Sequence, residues 1–157
     1  MLDKLKEHEI QQVLFKSFSS GSIVIPNLSV DGFERDLVLI TNARFYYEYE
    51  IKCTRSDFKA DIEHKKYKHS MFVNEAVASK FFIPKRFYYV CQGDIVTVAD
   101  LPEYAGLIKI YWNMKYLKWD LNIIKKAPSV KWAKKLSKEK MDYILIRMSD
   151  LIWADKD

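Results

Sequence analysis

The run Tyr46-Tyr47-Glu48-Tyr49-Glu50-Ile51-Lys52-Cys53 constrains the fold of this 157-residue chain more than any other segment. Its aromatic and β-branched residues read as a strand, and strand side chains alternate between faces. Glu50 and Lys52 therefore point the same way, roughly 7 Å apart along the backbone. Upstream, Asp36-Leu37-Val38-Leu39-Ile40 also reads as a strand, and the intervening Thr41-Asn42-Ala43-Arg44 carries turn chemistry. The two runs predict a hairpin that brings Asp36 close to Glu50. Two carboxylates and a lysine meeting at a sheet suit a hard divalent cation and a water nucleophile. The same alternation also fits a solvated sheet face carrying Glu48, Glu50 and Lys52.

The periodicity around this hairpin sets the fold class. Residues 3–18 predict an amphipathic helix with Ile10, Val13, Leu14 and Phe18 on one arc. Ser19-Ser20-Gly21-Ser22 ends it, and Ile23-Val24-Ile25 begins a first strand. After the strands at 36–40 and 45–53, Ser56 or Asp57 is expected to cap a helix reaching residue 69. A short helical segment follows at 73–82, then strands at 87–91, 107–111 and 118–124, then a helix over 130–152. Helix, three strands, helix, strand predicts an α/β domain with a mixed central sheet flanked by helices, and nothing divides residues 1–157.

Lys and Arg number 26 against 21 Asp and Glu, a net charge of +5 that favours a polyanionic partner. Basic clusters recur at Lys65-Lys66-Tyr67-Lys68, Lys85-Arg86, Lys125-Lys126 and Lys131 through Lys140. No apolar run approaches the roughly 18–20 residues that cross a bilayer, which argues against a membrane partner. The charged N-terminus lacks a secretory pattern, and Cys53 and Cys91 have neither disulfide-framework nor CxxC spacing, so a cytoplasmic setting is expected. His8, His64 and His69 lack zinc-motif spacing. Aromatics interleaved with lysines can stack bases, although Tyr47, Tyr49, Tyr88 and Tyr89 fall in strand patterns that suit a core. Trp112, Trp119, Trp132 and Trp153 in the basic C-terminal part are weaker candidates for base contacts.

The order of elements and these residues together resemble the PD-(D/E)xK nuclease superfamily with its restriction-endonuclease-like core, and within it MmcB-like and phage-encoded nucleases. The likeness rests on Glu34-Arg35-Asp36, on the stretch from Glu50-Ile51-Lys52 to Asp61, and on the Lys68-His69 pair. It continues through Ile83 to Val90 and Leu101 to Ile108, so it spans residues 7–111. Residues 112–157 form a basic C-terminal extension with no counterpart in the resemblance. Arg35 stands where the superfamily usually has Pro.

The resemblance implies Mg²⁺ or Mn²⁺ bound by Asp36, Glu50 and the backbone carbonyl of Ile51, with Lys52 orienting or helping to deprotonate the attacking water and stabilising charge on the phosphate. It implies DNA as partner, a role in repair, recombination or phage DNA processing, and admits a homodimer, since cutting both strands often uses two sites. A catalytically inactive nucleic-acid-binding module on the same fold is the alternative. Superfamily members often carry an acidic residue on the first helix. Glu7 falls inside the apolar arc near Ile10 and Leu14, with Gln11 beside it, while Glu9 sits at its margin. Glu7 is thus the favoured further metal ligand, against a solvated glutamate on a slightly rotated helix. On the helix after the motif, Asp61, Lys65 and His69 share a face, and Lys65, Lys68 and His69 are candidates to meet a DNA phosphate, against ordinary surface residues.

Overall fold

The computed structural model describes residues 2–18, 20–79 and 82–154. Within them, β1 (Ile23–Val30), β2 (Phe33–Ile40), β3 (Tyr46–Ile51), β4 (Arg86–Gln92), β5 (Ala105–Asn113) and β6 (Lys118–Lys125) form one sheet in chain order. The β3–β4 and β4–β5 pairs are parallel and the others antiparallel, giving the mixed α/β sheet the periodicity predicts. Helix α1 (Glu7–Ser17) lies on one face, burying Ile10 and Leu14 against Leu37, Tyr49, Val90 and Ile108. Residues of the opposite parity, Phe87, Tyr89, Cys91 and Leu107, pack on the other face against Phe58, Met71 and Phe72. That layer comprises α2 (Arg55–His64), α3 (Lys66–His69) and α4 (Glu75–Ala78), with α5 (Lys138–Ala154) beside them over β1. Among the described residues, no helix is long and apolar enough to cross a membrane.

Several boundaries differ from those expected, each for a local reason. β1 runs on through Pro26 to Val30, which a sheet-edge strand tolerates. β2 starts at Phe33, because Asp31 and Gly32 take φ of 49° and 84° in a two-residue hairpin turn between Val30 and Phe33. Asp-Gly is a strong sequence signal for that turn, since both positions need positive φ. Helix α1 starts at Glu7 rather than residue 3, the Glu9 carboxylate accepting from the Lys6 N–H at 2.7 Å. Thr54, not Ser56 or Asp57, caps α2, its hydroxyl accepting from the Asp57 N–H at 3.0 Å. Residues 130–137 are not helical: the Val130 and Leu136 amides bond to the Lys85 and Arg44 carbonyls, tying this strap to the body before α5 begins.

A break in the β1–β2 ladder decides what the sheet buries. Pro26 pairs with Leu37 and Leu28 with Arg35, passing over Asn27 and Asp36, and Asn27 has φ of 52°. Arg35 is thereby turned inward and is fully buried. Its guanidinium donates to Glu48 at 3.2 Å and to both carboxylate oxygens of Asp31 at 2.9 and 3.0 Å. Glu48, also fully buried, takes its second cation from Lys68 of α3. Burial would raise the Glu48 pKa, but Lys68 and Arg35 reverse this and hold it low.

Removing one partner of a buried ion pair strands the other charge, at a cost of about 3–5 kcal/mol. Arg35→Met and Lys68→Met should each destabilise the protein by an amount in that range in urea unfolding. A loss below about 1 kcal/mol, typical of exposed pairs, would show that Glu48 is hydrated rather than held.

Candidate active site

The site forms where β2 and β3 leave the regular ladder. Asp36, released from pairing, lies beside the end of β3, and its Oδ2 accepts from the Ile51 N–H at 2.7 Å. Lys52 follows β3 directly and remains in line through its N–H to the Val90 carbonyl, at 2.9 Å. Helix α2 supplies Asp61, and Lys65 stands at the joint with α3, where φ −105° and ψ 27° interrupt the helix. With Glu7 of α1, these residues and Glu50 line a cleft of about 370 Å³. The structure thus brings together Asp36, Glu50, Ile51, Lys52, Glu7 and Lys65.

Glu50 is 1% exposed, so the alternative of one solvated strand face does not hold: Glu48, Glu50 and Lys52 are all buried. Glu50 Oε1 accepts from Lys52 Nζ at 3.1 Å and from Lys65 Nζ at 2.7 Å. Its Oε2 is buried with no hydrogen-bond partner, and Lys68 Nζ stands 3.8 Å away. Burial, then the neighbouring Glu50 charge, push the Asp36 pKa up to about 7, against the opposing Ile51 amide. Burial alone would lower the Lys52 pKa, yet Glu50 and Asp61 raise it above the usual lysine value. Lys52 is therefore an ammonium throughout the neutral range.

On the first helix, Glu7 stands at the rim of the cleft, its pKa raised by burial and then by Glu34 and Glu50. Glu9 instead closes its own helix on Lys6 and borders a separate groove with Trp112 and Trp119. Gln11 donates to the Asp36 carbonyl at 2.7 Å and to Asn27 Oδ1 at 3.0 Å, linking α1 to the ladder break.

Two of the residues expected at a DNA surface lie elsewhere. Lys68 is 1% exposed between Glu48 and Glu50, and His69 is buried between Asp61 and Tyr104, so neither can reach a phosphate. Only Lys65 of the three keeps part of its side chain in solvent. Asp61, within the motif but without an assigned role above, sits at the centre of the cluster. Its spacing four residues before Lys65 and eight before His69 is the signal that places it there.

No protein-family model matches the chain, and no curated protein is significantly similar to it. Among solved structures, the chain is similar to a protein of unknown function from Silicibacter pomeroyi, at 17% identity and a TM-score of 0.59. That likeness covers 99% of this chain and 94% of the other, and concerns the fold alone.

A folded pKa near 7 on an aspartate means that the folded protein binds the extra proton between about pH 4 and 7. Asp36 therefore costs stability as pH rises through that window and is neutral below it. Without divalent cations, Asp36→Asn should melt several degrees above wild type at about pH 8.5, and the gap should narrow as pH falls below about 7 and close only towards about pH 4. A gap independent of pH would show that Asp36 titrates normally.

Proposed function

We propose that this chain is a cytoplasmic nuclease that uses Mg²⁺ or Mn²⁺ to hydrolyse DNA phosphodiester bonds, in repair, recombination or phage DNA processing. The observation that carries the reading is the buried Oε2 of Glu50, which accepts no hydrogen bond and has Lys68 Nζ no nearer than 3.8 Å, on a residue lining the cleft that also holds Asp36. A buried carboxylate oxygen left open is costly, and a divalent cation between Asp36 and Glu50 would satisfy it. Among the described residues no three Asp, Glu, His or Cys side chains form a ready-made cage. Mg²⁺ is usually held by one or two carboxylates plus waters and substrate phosphates, and Asp36 and Glu50 are the two carboxylates that would serve here.

In this reading Asp36 and Glu50 hold the cation with the Ile51 carbonyl, and Glu7 meets its outer side at the rim. When bound, the cation supplies charge neutralisation at the phosphate and a more acidic water. Lys52, kept protonated by Glu50 and Asp61, donates to the charge developing on the phosphate and orients the water rather than acting as its base. Lys65, partly exposed and 2.7 Å from Glu50, is placed to turn from the carboxylate to a phosphate. One observation favours the inactive-binder alternative: Lys52 and Lys65 already balance Glu50 Oε1 without a metal.

Incubation with supercoiled, linear, single-stranded and branched DNA in Mg²⁺, Mn²⁺ or EDTA separates the two. Cleavage in metal alone is expected, and Asp36→Asn or Glu50→Gln should abolish it and weaken Mn²⁺ binding in calorimetry. Lys52→Ala should abolish cleavage with Mn²⁺ affinity equal or higher, since a neighbouring positive charge is gone. DNA binding in Ca²⁺ should persist in that variant and fall steeply between about 50 and 200 mM salt. Glu7→Gln should reduce cleavage by roughly ten- to a hundredfold, while Glu9→Gln stays near wild type. Unchanged Mn²⁺ affinity in both carboxylate variants would overturn the assignment.

A further inference from the structure

Asp61 joins the cleft to a set of buried groups that the proposed chemistry does not use. Its Oδ1 accepts from Lys52 Nζ at 3.2 Å and meets Lys65 Nζ at 3.0 Å. The same two ammonium groups meet Glu50 Oε1, so two carboxylate oxygens and two cations alternate around a square. Asp61 Oδ2 accepts from the Tyr89 hydroxyl and from His69 Nε2, both at 2.8 Å. Behind His69, the Tyr104 hydroxyl lies 2.8 Å from Nδ1. Burial would raise the Asp61 pKa, but the His69 hydrogen bond and the Lys52 charge hold it well below the usual carboxylate range. An ionised Asp61 can only accept, so His69 Nε2 carries a proton, and in the neutral ring Nδ1 accepts from Tyr104.

The contrast with Glu50 is one of saturation. Glu50 keeps one oxygen open, whereas both Asp61 oxygens are occupied by two donors each. Asp61 therefore has no acceptor capacity left for a metal ion, yet it grips the lysine assigned to the reaction. A lysine is a flexible four-carbon stem carrying a point charge, and a single partner leaves it several rotamers. Held between Glu50 and Asp61, the Lys52 ammonium has one location. His69 is itself fixed, with Phe87 edge-on at 5.6 Å between centroids and Tyr104 stacked at 5.8 Å.

We propose that Asp61 is a positioning residue that fixes the Lys52 ammonium beside Glu50, and that His69, braced by Tyr104, locks Asp61 in turn. The kinetic consequence rests on the nuclease reading; the placement of Lys52 does not. Two readouts keep them apart.

The first readout is the ¹⁵N-detected ammonium signal of Lys52 in the full chain, assigned by its loss in Lys52→Met. It should be visible and slowly exchanging in wild type, and lost or broadened in Asp61→Asn. The second is steady-state DNA cleavage: kcat should fall by about ten- to a hundredfold, the scale for groups that orient metal-site residues, while KM and Mn²⁺ affinity are unchanged. His69→Gln, whose amide can replace the Nε2 donor, should retain the signal and kcat, and His69→Leu should lose both. Where Asp61→Asn does not fold, this His69 pair carries the same comparison. A Lys52 signal and kcat unaltered in Asp61→Asn, or His69→Gln no better than His69→Leu, would overturn the inference. If wild type cleaves nothing, the nuclease reading fails, and the Lys52 signal alone decides the positioning.

Discussion

Two carboxylates buried on one face of β3, Glu48 and Glu50, set the terms for everything packed against that face. An unpaired buried charge is worth far more in lost stability than any single apolar contact in the same layer contributes. Cations must therefore arrive from several directions at once. Arg35 comes from β2 through the ladder break at Asn27, Lys68 from α3, Lys52 from the end of β3, and Lys65 from the joint between α2 and α3. The placement of α2 and α3 over the sheet is as much an electrostatic requirement as a hydrophobic one. Phe58, Met71 and Phe72 supply the apolar burial, while the lysines on the same short helices make that burial compatible with β3.

The two glutamates meet different ends. Glu48 is closed: Arg35 covers one oxygen and Lys68 the other, and Asp31 completes the guanidinium. Glu50, two residues on, has both of its close cations on one oxygen and none within hydrogen-bonding range of the second. The same strand and residue type thus yield a structural ion pair and an open acceptor. The difference comes from position along the strand. Glu48 faces the interior of the helical layer, and Glu50 lies where β2 and β3 stop pairing and the cleft opens.

Alternation and turn chemistry made the β2–β3 hairpin legible in the sequence, and with it the meeting of Asp36 and Glu50. Glu7 does line the cleft, but from an exposed position on α1 rather than directed inward within the apolar arc as its spacing suggested. What the sequence concealed was burial of charge. A helical wheel shows that Asp61, Lys65 and His69 share a face, but not that the face turns toward carboxylates rather than solvent. Lys68 and His69 therefore looked like surface groups, when each was the counterpart of a buried acid. Arg35 was hidden for another reason: its inward turn accompanies a ladder break that skips Asn27, a left-handed residue, and Asp36 opposite it. The Asp31-Gly32 turn was visible in principle, since Asp-Gly between strand-like runs carries a known geometry.

The cleft gives up the Asp36 proton only as pH rises through about 7. Asp36, pushed up to about 7, is protonated in mildly acidic solution, when the Glu50 charge is already met on one side by Lys52 and Lys65. As Asp36 ionises it becomes a second anion beside Glu50, with the Ile51 amide donating to it and the Lys52 charge acting on it without contact. The charge that appears on Asp36 thus has no side-chain cation in contact with it, and the open Glu50 oxygen has none within bonding distance. Lys52 is tethered by Asp61 and cannot move over to answer it without leaving Asp61 Oδ1 to Lys65 alone. Lys52 thus stays with Glu50 and Asp61 as Asp36 ionises, and in the nuclease proposed above a divalent cation would be what meets the Asp36 charge.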